Sequence, residues 1–468
     1  MKLIKKSKYI NIYKFKDDDK YIIFHSYYGN IMKVNNRVIQ LINYFSTPKT
    51  SKEYCNKFKI NANEVEPVIK NCIDKKFLIE FEKSNDLQEI ELIKTDDYLD
   101  CYPERLLRFY ITKKCNMRCS YCFESKHDTG KDMTLATVKN GLEAFNSFLD
   151  KETNKNYELI KINFFGGEPL IKFDLIKTSY DLIYDIVKQK DKRLKITINT
   201  NGTLLNREKI NWIISHNVHL YLSIDGLKEQ NDKNRILKNG QGTFDIVIKN
   251  LKTIIAEANE EYIEKHLTIL VTVTSSNIKQ VEQLVLFLES LGIKNISLNA
   301  AFNCILNGGY GTDWTTLSKE QIDIFIRDAI YLRDKMYNSN LHIGGTWGYI
   351  PNRLKKGGVA FCQAVGYEIG VSPNGDLFPC PCTFSRPGLS IGKLLGNRFQ
   401  FNDYFEKWQQ RKVTNTKTCI DCPISGICRG GCPGVSVLND KDIYMPQQCD
   451  FWRKFVDSYV TNVMLTNK

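Results

Sequence analysis

At 468 residues the chain is too long for one ordinary domain, and 42% hydrophobic with 25% charged residues is the balance of a soluble globular protein. The formal charge of +13 invites a nucleic-acid reading, but the lysines are spread along the whole chain instead of forming a binding stripe. No apolar run approaches the roughly 20 residues that span a bilayer, and the basic start lacks a signal peptide's apolar core. A cytoplasmic protein that binds neither nucleic acid nor membrane is expected.

The N-terminal segment, 1–95, has the outline of a winged helix. YIIFHSYYGNIMKV reads as a hairpin turning near Gly29-Asn30, and NRVIQLINYF and SKEYCNKF read as short helices. NEVEPVIKNCIDKKFLIEFE follows as a helix running into a last strand. The acidic, apolar-poor stretch Lys83–Asp97 reads as a linker.

From Arg105 to about Phe302, within a domain set at 101–318, apolar strands alternate with amphipathic helices. The predicted strands are LLRFYIT, IKINFFG, KITINT, HLYLSID, TILVTVT and NISLNAAF. Continuous β-branched runs separated by helices imply a parallel sheet covered on its outer face. The fold class is therefore α/β, a partial (β/α)6 TIM barrel, with functional loops expected at the C-terminal strand ends. A bridging region, 319–358, opens with a helix around Lys319–Lys335. The last domain, 359–455, is rich in Cys, Gly and Pro and needs metals to fold.

Fifteen cysteines in a cytosolic chain are better read as metal ligands than as disulfides. Cys55, Cys72, Cys101, Cys304 and Cys382 stand outside the tight clusters. Cys72 follows Val68 and Ile69 at helical spacing and reads as a small core residue. Cys115, Cys119 and Cys122 follow the first barrel strand directly. Three thiolates at this spacing suit three irons of a 4Fe-4S cubane and leave the fourth iron open to a second ligand. The competing zinc reading loses on position, because a barrel strand's C-terminal end is where catalytic groups sit.

This CxxxCxΦC pattern, with Tyr121 before the last cysteine, resembles the radical S-adenosylmethionine superfamily. Gly166-Gly167-Glu168-Pro169 after the second strand matches that superfamily's GGEP motif, which implies a cradle for the methionine ammonium. In similar peptide-modifying members, a serine and an arginine placed like Ser223 and Arg235 contact the cofactor's ribose and carboxylate. A guanidinium suits a carboxylate as a two-pronged partner. Asp225 closes the same strand end, and Asn199, Asn201 and Gly202 are expected to shape the same pocket.

Toward the C-terminus, Cys362, Cys380, Cys419, Cys422, Cys428, Cys432 and Cys449 match the seven-cysteine order of the SPASM domain. That resemblance implies one auxiliary 4Fe-4S cluster on Cys419, Cys422, Cys428 and Cys449. It implies a second on Cys362, Cys380 and Cys432, with Cys382 or a substrate thiolate as fourth ligand. Three 4Fe-4S clusters and S-adenosyl-L-methionine are the expected cofactors. With ten thiolates around three 2+ cores, the formal charge falls by roughly four units.

The N-terminal segment resembles the winged-helix element that captures leader peptides as an added strand in ribosomal peptide biosynthesis. The expected enzyme is a radical peptide maturase of the sactipeptide/ranthipeptide type. It would take hydrogen from a precursor peptide with a leader, close a thioether from a cysteine, and draw electrons from a flavodoxin or ferredoxin. Carbon-carbon crosslinking is the near alternative. Formylglycine formation of the anaerobic sulfatase-maturating type is disfavoured, because Pro381 stands where that family has an aspartate base. An iron-sulfur, redox-sensing DNA-binding regulator would leave GGEP and Arg235 idle.

Overall fold

The structure, a computed structural model, describes residues 2–16, 18–81, 88–94, 104–122, 130–151, 157–187, 190–301, 317–336, 340–346, 348–384, 386–446 and 448–465. Cys101 and Cys304 lie outside the described residues, as does Phe302.

The first strands are β1 (Leu3–Lys6), β2 (Ile10–Lys14), β3 (Lys20–His25) and β4 (Ile31–Asn35). Helices Asn36–Tyr44, Ser51–Phe58 and Ala62–Asp74 and strand β5 (Leu78–Phe81) follow, where the sequence pattern sets them. Each helix starts on a side-chain cap, Asn35, Thr50 and Asn61, that satisfies otherwise orphaned backbone N–H groups. Strands β2, β3 and β4 form an antiparallel sheet in that order, and β1 pairs with β5. Cys55 and Cys72 are buried in this segment's core, Cys72 beside Val65 and Ile69.

The segment read as a linker is in part structured. Gln88–Lys94 is a helix, because Ile90 and Ile93, three apart, share one face. Both are buried against Val359, Val413 and Cys419 of the C-terminal region. The β2–β3 hairpin docks there too. Tyr9 Oη donates to the Ile420 carbonyl at 2.6 Å, Asn11 Nδ2 donates to Pro423 O at 3.0 Å, and Tyr27 Oη meets Ser425 Oγ at 2.8 Å.

The six expected barrel strands are β6 (Glu104–Thr112), β7 (Leu159–Gly166), β8 (Arg193–Thr200), β9 (His219–Ser223), β10 (Leu267–Val273) and β11 (Asn295–Ala300). They are parallel and neighbour one another in sequence order. The parallel run is longer than expected. Strand β12 (His342–Gly345) adds beside β11, and β13 (Glu368–Val371) adds beside β6. Antiparallel β14 (Asp376–Phe378), β15 (Gly392–Leu395) and β16 (Arg398–Phe401) complete a sheet of eleven strands among the described residues. The sheet therefore runs through the boundaries expected at 318 and 358, so the barrel and the cysteine-rich region share one scaffold.

Outside the sheet, helices such as Leu135–Leu149 and Phe173–Val187 bury their apolar faces on it. The inner face is polar. Arg108 pairs with Glu368 at 2.8 Å and with Asn163, and Asn163 donates to Asn199 Oδ1 at 2.8 Å. The cysteine-rich region also ends more regularly than expected, in an amphipathic helix, Cys449–Tyr459, that buries Phe451, Trp452, Phe455 and Val456. No described helix is long and apolar enough to cross a membrane.

Candidate active site

The chain after β6 carries Cys115, Cys119 and Cys122, and two neighbours hold it in place. On one side, Arg118 N donates to Ile236 O at 2.8 Å and Ser120 N donates to Asn234 O at 3.0 Å. On the other, the Gly166-Gly167 turn after β7 lies on the residues just ahead of Cys115. Gly167 N donates to Thr112 O and Glu168 N to Lys114 O, both at 2.8 Å. A Cβ on Gly167 would collide with the Lys114 carbonyl, and Gly166 adopts φ +142° against Thr112. The two glycines are thus needed for backbone contact as well as for a bared surface.

Glu168 is buried and braces the turn after β8. Its carboxylate accepts from Leu170 N at 3.0 Å, Thr200 Oγ1 at 2.7 Å and Asn201 N at 2.8 Å. Burial raises its pKa, against the pull of these donors and of Arg235. Three hydrogen bonds leave one of about four acceptor positions for a further donor, such as an ammonium. Asn201 Nδ2 also reaches Asn116 Oδ1 at 2.9 Å, which ties this turn to the cysteine loop.

Arg235 is buried and donates to Tyr121 Oη at 2.6 Å, with Asp225 Oδ2 at 3.5 Å. Tyr121 Oη in turn donates to Asp225. Asp225 Oδ1 accepts from Thr272 N at 2.8 Å, so this carboxylate locks β9 to β10.

A cavity of about 170 Å³ opens among these elements. Its walls include Cys115, Cys119 and Cys122 with Tyr121, Gly166, Gly167, Glu168, Asn199, Asn201, Ser223 and Arg235. Of the residues expected around the cofactor, Pro169, Gly202 and Asp225 are not among those lining the cavity, Pro169 opening a short turn that Glu168 caps. Met117, Phe165, Thr200 and Leu270 also line the cavity, and no sequence motif announced them. Alternation along the strands holds the signal for two of them, since Phe165 and Leu270 lie in step with inward-facing Asn163 and Thr272.

All thirteen described cysteines are free thiols. Burial pushes the Cys115 thiol up to about 12, and Cys362, Cys428 and Cys432 likewise. Thiols so placed ionise when a metal takes the proton's place, so the donor set fits an iron-sulfur cluster. The C-terminal thiols fall into two sets. Cys419, Cys422, Cys428 and Cys449 lie within electrostatic reach of one another, and Cys362, Cys380 and Cys432 form the other set. Cys382 lies beside the second, near the same Gly434 position that faces Cys432 and Cys380 Sγ. A Cβ on Gly434 would stand 3.5 Å from Cys432 Sγ, 3.7 Å from Cys380 Sγ and 3.8 Å from Cys382 Cβ.

Phe165, which lines the cavity, packs on a buried aromatic group. Tyr110 stacks on Phe384 at 4.0 Å between ring centres and meets Phe165 edge-on at 5.8 Å.

This fold and cavity define an enzyme of the S-adenosylmethionine-cleaving, barrel type. The profile described as "Radical SAM superfamily" matches residues 109–288. The Radical SAM cyclopropyl synthase TigE of Paramaledivibacter caminithermalis is 26% identical over 96% of this chain and 94% of its own. A protein of Methanocaldococcus jannaschii, MJ0907, is 32% identical over 61% of this chain and 86% of its own. The Cysteine-type anaerobic sulfatase-maturating enzyme of Clostridium novyi is 22% identical over 69% of this chain and 85% of its own. Among solved structures, anSMEcpe with bound AdoMet superposes with a TM-score of 0.62 at 17% identity, covering 77% of this chain and 98% of that one. The same enzyme with AdoMet and the Kp18Cys peptide gives 0.60 at 18% identity, covering 78% and 98%. The chain belongs to the radical SAM superfamily, whose members use S-adenosylmethionine and a 4Fe-4S cluster.

Proposed function

We propose that this enzyme is a peptide maturase that removes hydrogen from a ribosomally made precursor and closes an intramolecular bond at the resulting carbon radical. The observation that carries the reading is the single cavity walled by the cysteine triad, Gly166-Gly167-Glu168, Ser223 and Arg235. Cys115, Cys119 and Cys122 would hold the cofactor-binding cluster, and the two C-terminal sets would hold auxiliary 4Fe-4S clusters. Bound there, cluster and S-adenosylmethionine supply a 5'-deoxyadenosyl radical once a low-potential donor such as flavodoxin or ferredoxin provides an electron. The residues' own work is to bind and orient. Glu168 keeps an acceptor free for the ammonium, and Arg235 presents a cation to the carboxylate.

Two observations favour a carbon-carbon bond. The similarity to a cyclopropyl synthase runs the full length of the chain. Cys382 lies near Cys380 and Cys432, which supports it as that cluster's fourth ligand in place of a substrate thiolate. A thioether from a cysteine is the second reading, supported by the resemblance to thioether-forming maturases. Either bond needs the loss of two hydrogens. One would go to the 5'-deoxyadenosyl radical, and the other would leave as a proton, its electron taken up by an auxiliary cluster if the C-terminal thiols hold one. Alkylation of the product's thiols separates the readings. A carbon-carbon bond leaves every cysteine alkylatable, whereas a thioether removes one.

The N-terminal winged helix is proposed to take the precursor's leader on strand β4. His25 N donates to Asn30 O at 2.9 Å, which makes that a hydrogen-bonded pair. Alternation along the ladder then turns Met32 and Val34 toward β3 and leaves the Lys33 N–H and C=O facing outward. Lys33→Pro should weaken precursor binding about tenfold, roughly the loss of one well-placed main-chain bond and its neighbour. Peptide-free cofactor cleavage should stay unchanged. Calorimetric titration with the precursor checks this, and unaltered affinity would remove β4 as the docking edge.

A further inference from the structure

Two buried cations that carry no motif reach both C-terminal thiol sets. Arg411 is 1% exposed. Its Nε donates to Ile443 O at 2.5 Å, and its Nη2 donates to Gly430 O at 2.9 Å. Gly430 lies inside the Cys428-x3-Cys432 loop, whose two cysteines belong to different sets. A Cβ on Gly430 would stand 2.6 Å from Arg411 Nη1, so glycine there is what lets the guanidinium in. Within electrostatic reach of Arg411 are Cys419 and Cys428 of one set and Cys432 and Cys362 of the other. Its Nη1 is buried and has no hydrogen-bond partner among the described residues.

Arg353 is a second such group, 5% exposed. Its Nη1 donates to Ile427 O at 3.1 Å and Cys428 O at 3.4 Å, and its Nη2 donates to Phe361 O at 2.9 Å. Phe361 precedes Cys362, so this guanidinium also ties a backbone of one set to a backbone of the other. It acts on thiols of both sets, Cys362 and Cys428.

We infer that Arg411 and Arg353 are positioning residues that bridge the two auxiliary clusters electrostatically, setting their reduction potentials together. The inference rests on the proposed reading that both thiol sets hold 4Fe-4S clusters. Four thiolates on a 2+ core leave a buried charge of about −2, and burying it without compensation is costly. Two guanidinium groups within reach of both sets offset that charge. Each added electron deepens it, so nearby cations stabilise the reduced form and raise the potential. The unpartnered Nη1 donor is available for an N–H···S bond, which acts in the same direction. An electron leaving the substrate would then find acceptors of matched potential.

The test is a redox titration of the reconstituted full-length protein, followed by electron paramagnetic resonance with iron analysis. Arg411→Met should keep the full iron content and shift both auxiliary midpoints to more negative values. The Cys115 cluster's midpoint should not move, and Arg411→Lys should recover most of the shift. Arg353→Met should give the same two-cluster shift, and it supplies the reading where the Arg411 variant does not fold. Unchanged midpoints in a fully loaded Met variant, or a Lys variant shifted as far as Met, would overturn the inference. Wild-type protein holding only about four irons would overturn the underlying two-cluster reading instead.

Discussion

Replacing Cys115, Cys119 and Cys122 together with alanine should abolish 5'-deoxyadenosine formation, the largest loss any substitution here is expected to produce. The three thiols wall the cavity with Glu168 and Arg235, whereas none of the other eight candidate ligands lines it. Iron should therefore fall from about twelve to about eight per chain, with the auxiliary clusters retained. Chromatography of the reaction mixture and iron analysis read both quantities. A triple variant that still makes 5'-deoxyadenosine would assign cofactor cleavage to the wrong cluster.

Gly167→Ala should come next in severity, although it removes no functional group. The added methyl meets the Lys113 and Lys114 carbonyls, which are backbone and cannot rotate aside. Either the Gly166–Glu168 turn or the Cys115 loop must move by about 1 Å. Both define the same cavity, and misplacement on this scale costs on the order of 100-fold in rate. The methyl itself meets only the Lys113 and Lys114 backbone and no residue of the cysteine-rich region, so the iron of the auxiliary clusters should be retained. Single-turnover measurement of S-adenosylmethionine cleavage checks the rate, and a loss under threefold would mean that the close approach at Gly167 is not needed.

How legible the molecule is from its sequence differs sharply from part to part. Strands such as LLRFYIT and IKINFFG declare themselves because aliphatic and aromatic residues recur along their length, interrupted only by Arg108, Lys161 and Asn163 before the strand ends. Strand β12, His-Ile-Gly-Gly, carries no such signal, because four residues with two glycines have neither length nor propensity. Helix Gln88–Lys94 hides for a related reason, its two isoleucines being outnumbered by charged neighbours. At the site, the cysteine and GGEP spacings are local in sequence and readable. The Tyr121–Asp225–Arg235 group and the Arg353–Arg411 pair are not, because they are assembled from separate segments by the fold. Asp225 illustrates the limit. Its place at a strand end is readable, whereas its bonds to Thr272 N and Tyr121 come only from the fold.

The claim that the substrate is a peptide, attacked at carbon by the cofactor-derived radical, is tested most directly by isotope transfer. A precursor peptide with its leader, carrying deuterium on carbon throughout, is incubated anaerobically with the reduced, reconstituted enzyme and S-adenosylmethionine, and 5'-deoxyadenosine is isolated for mass spectrometry. The account predicts deuterium in 5'-deoxyadenosine and a peptide product lighter by two hydrogen isotopes, with both signals lost when the leader is removed. 5'-Deoxyadenosine free of deuterium, beside an unaltered peptide, would contradict it.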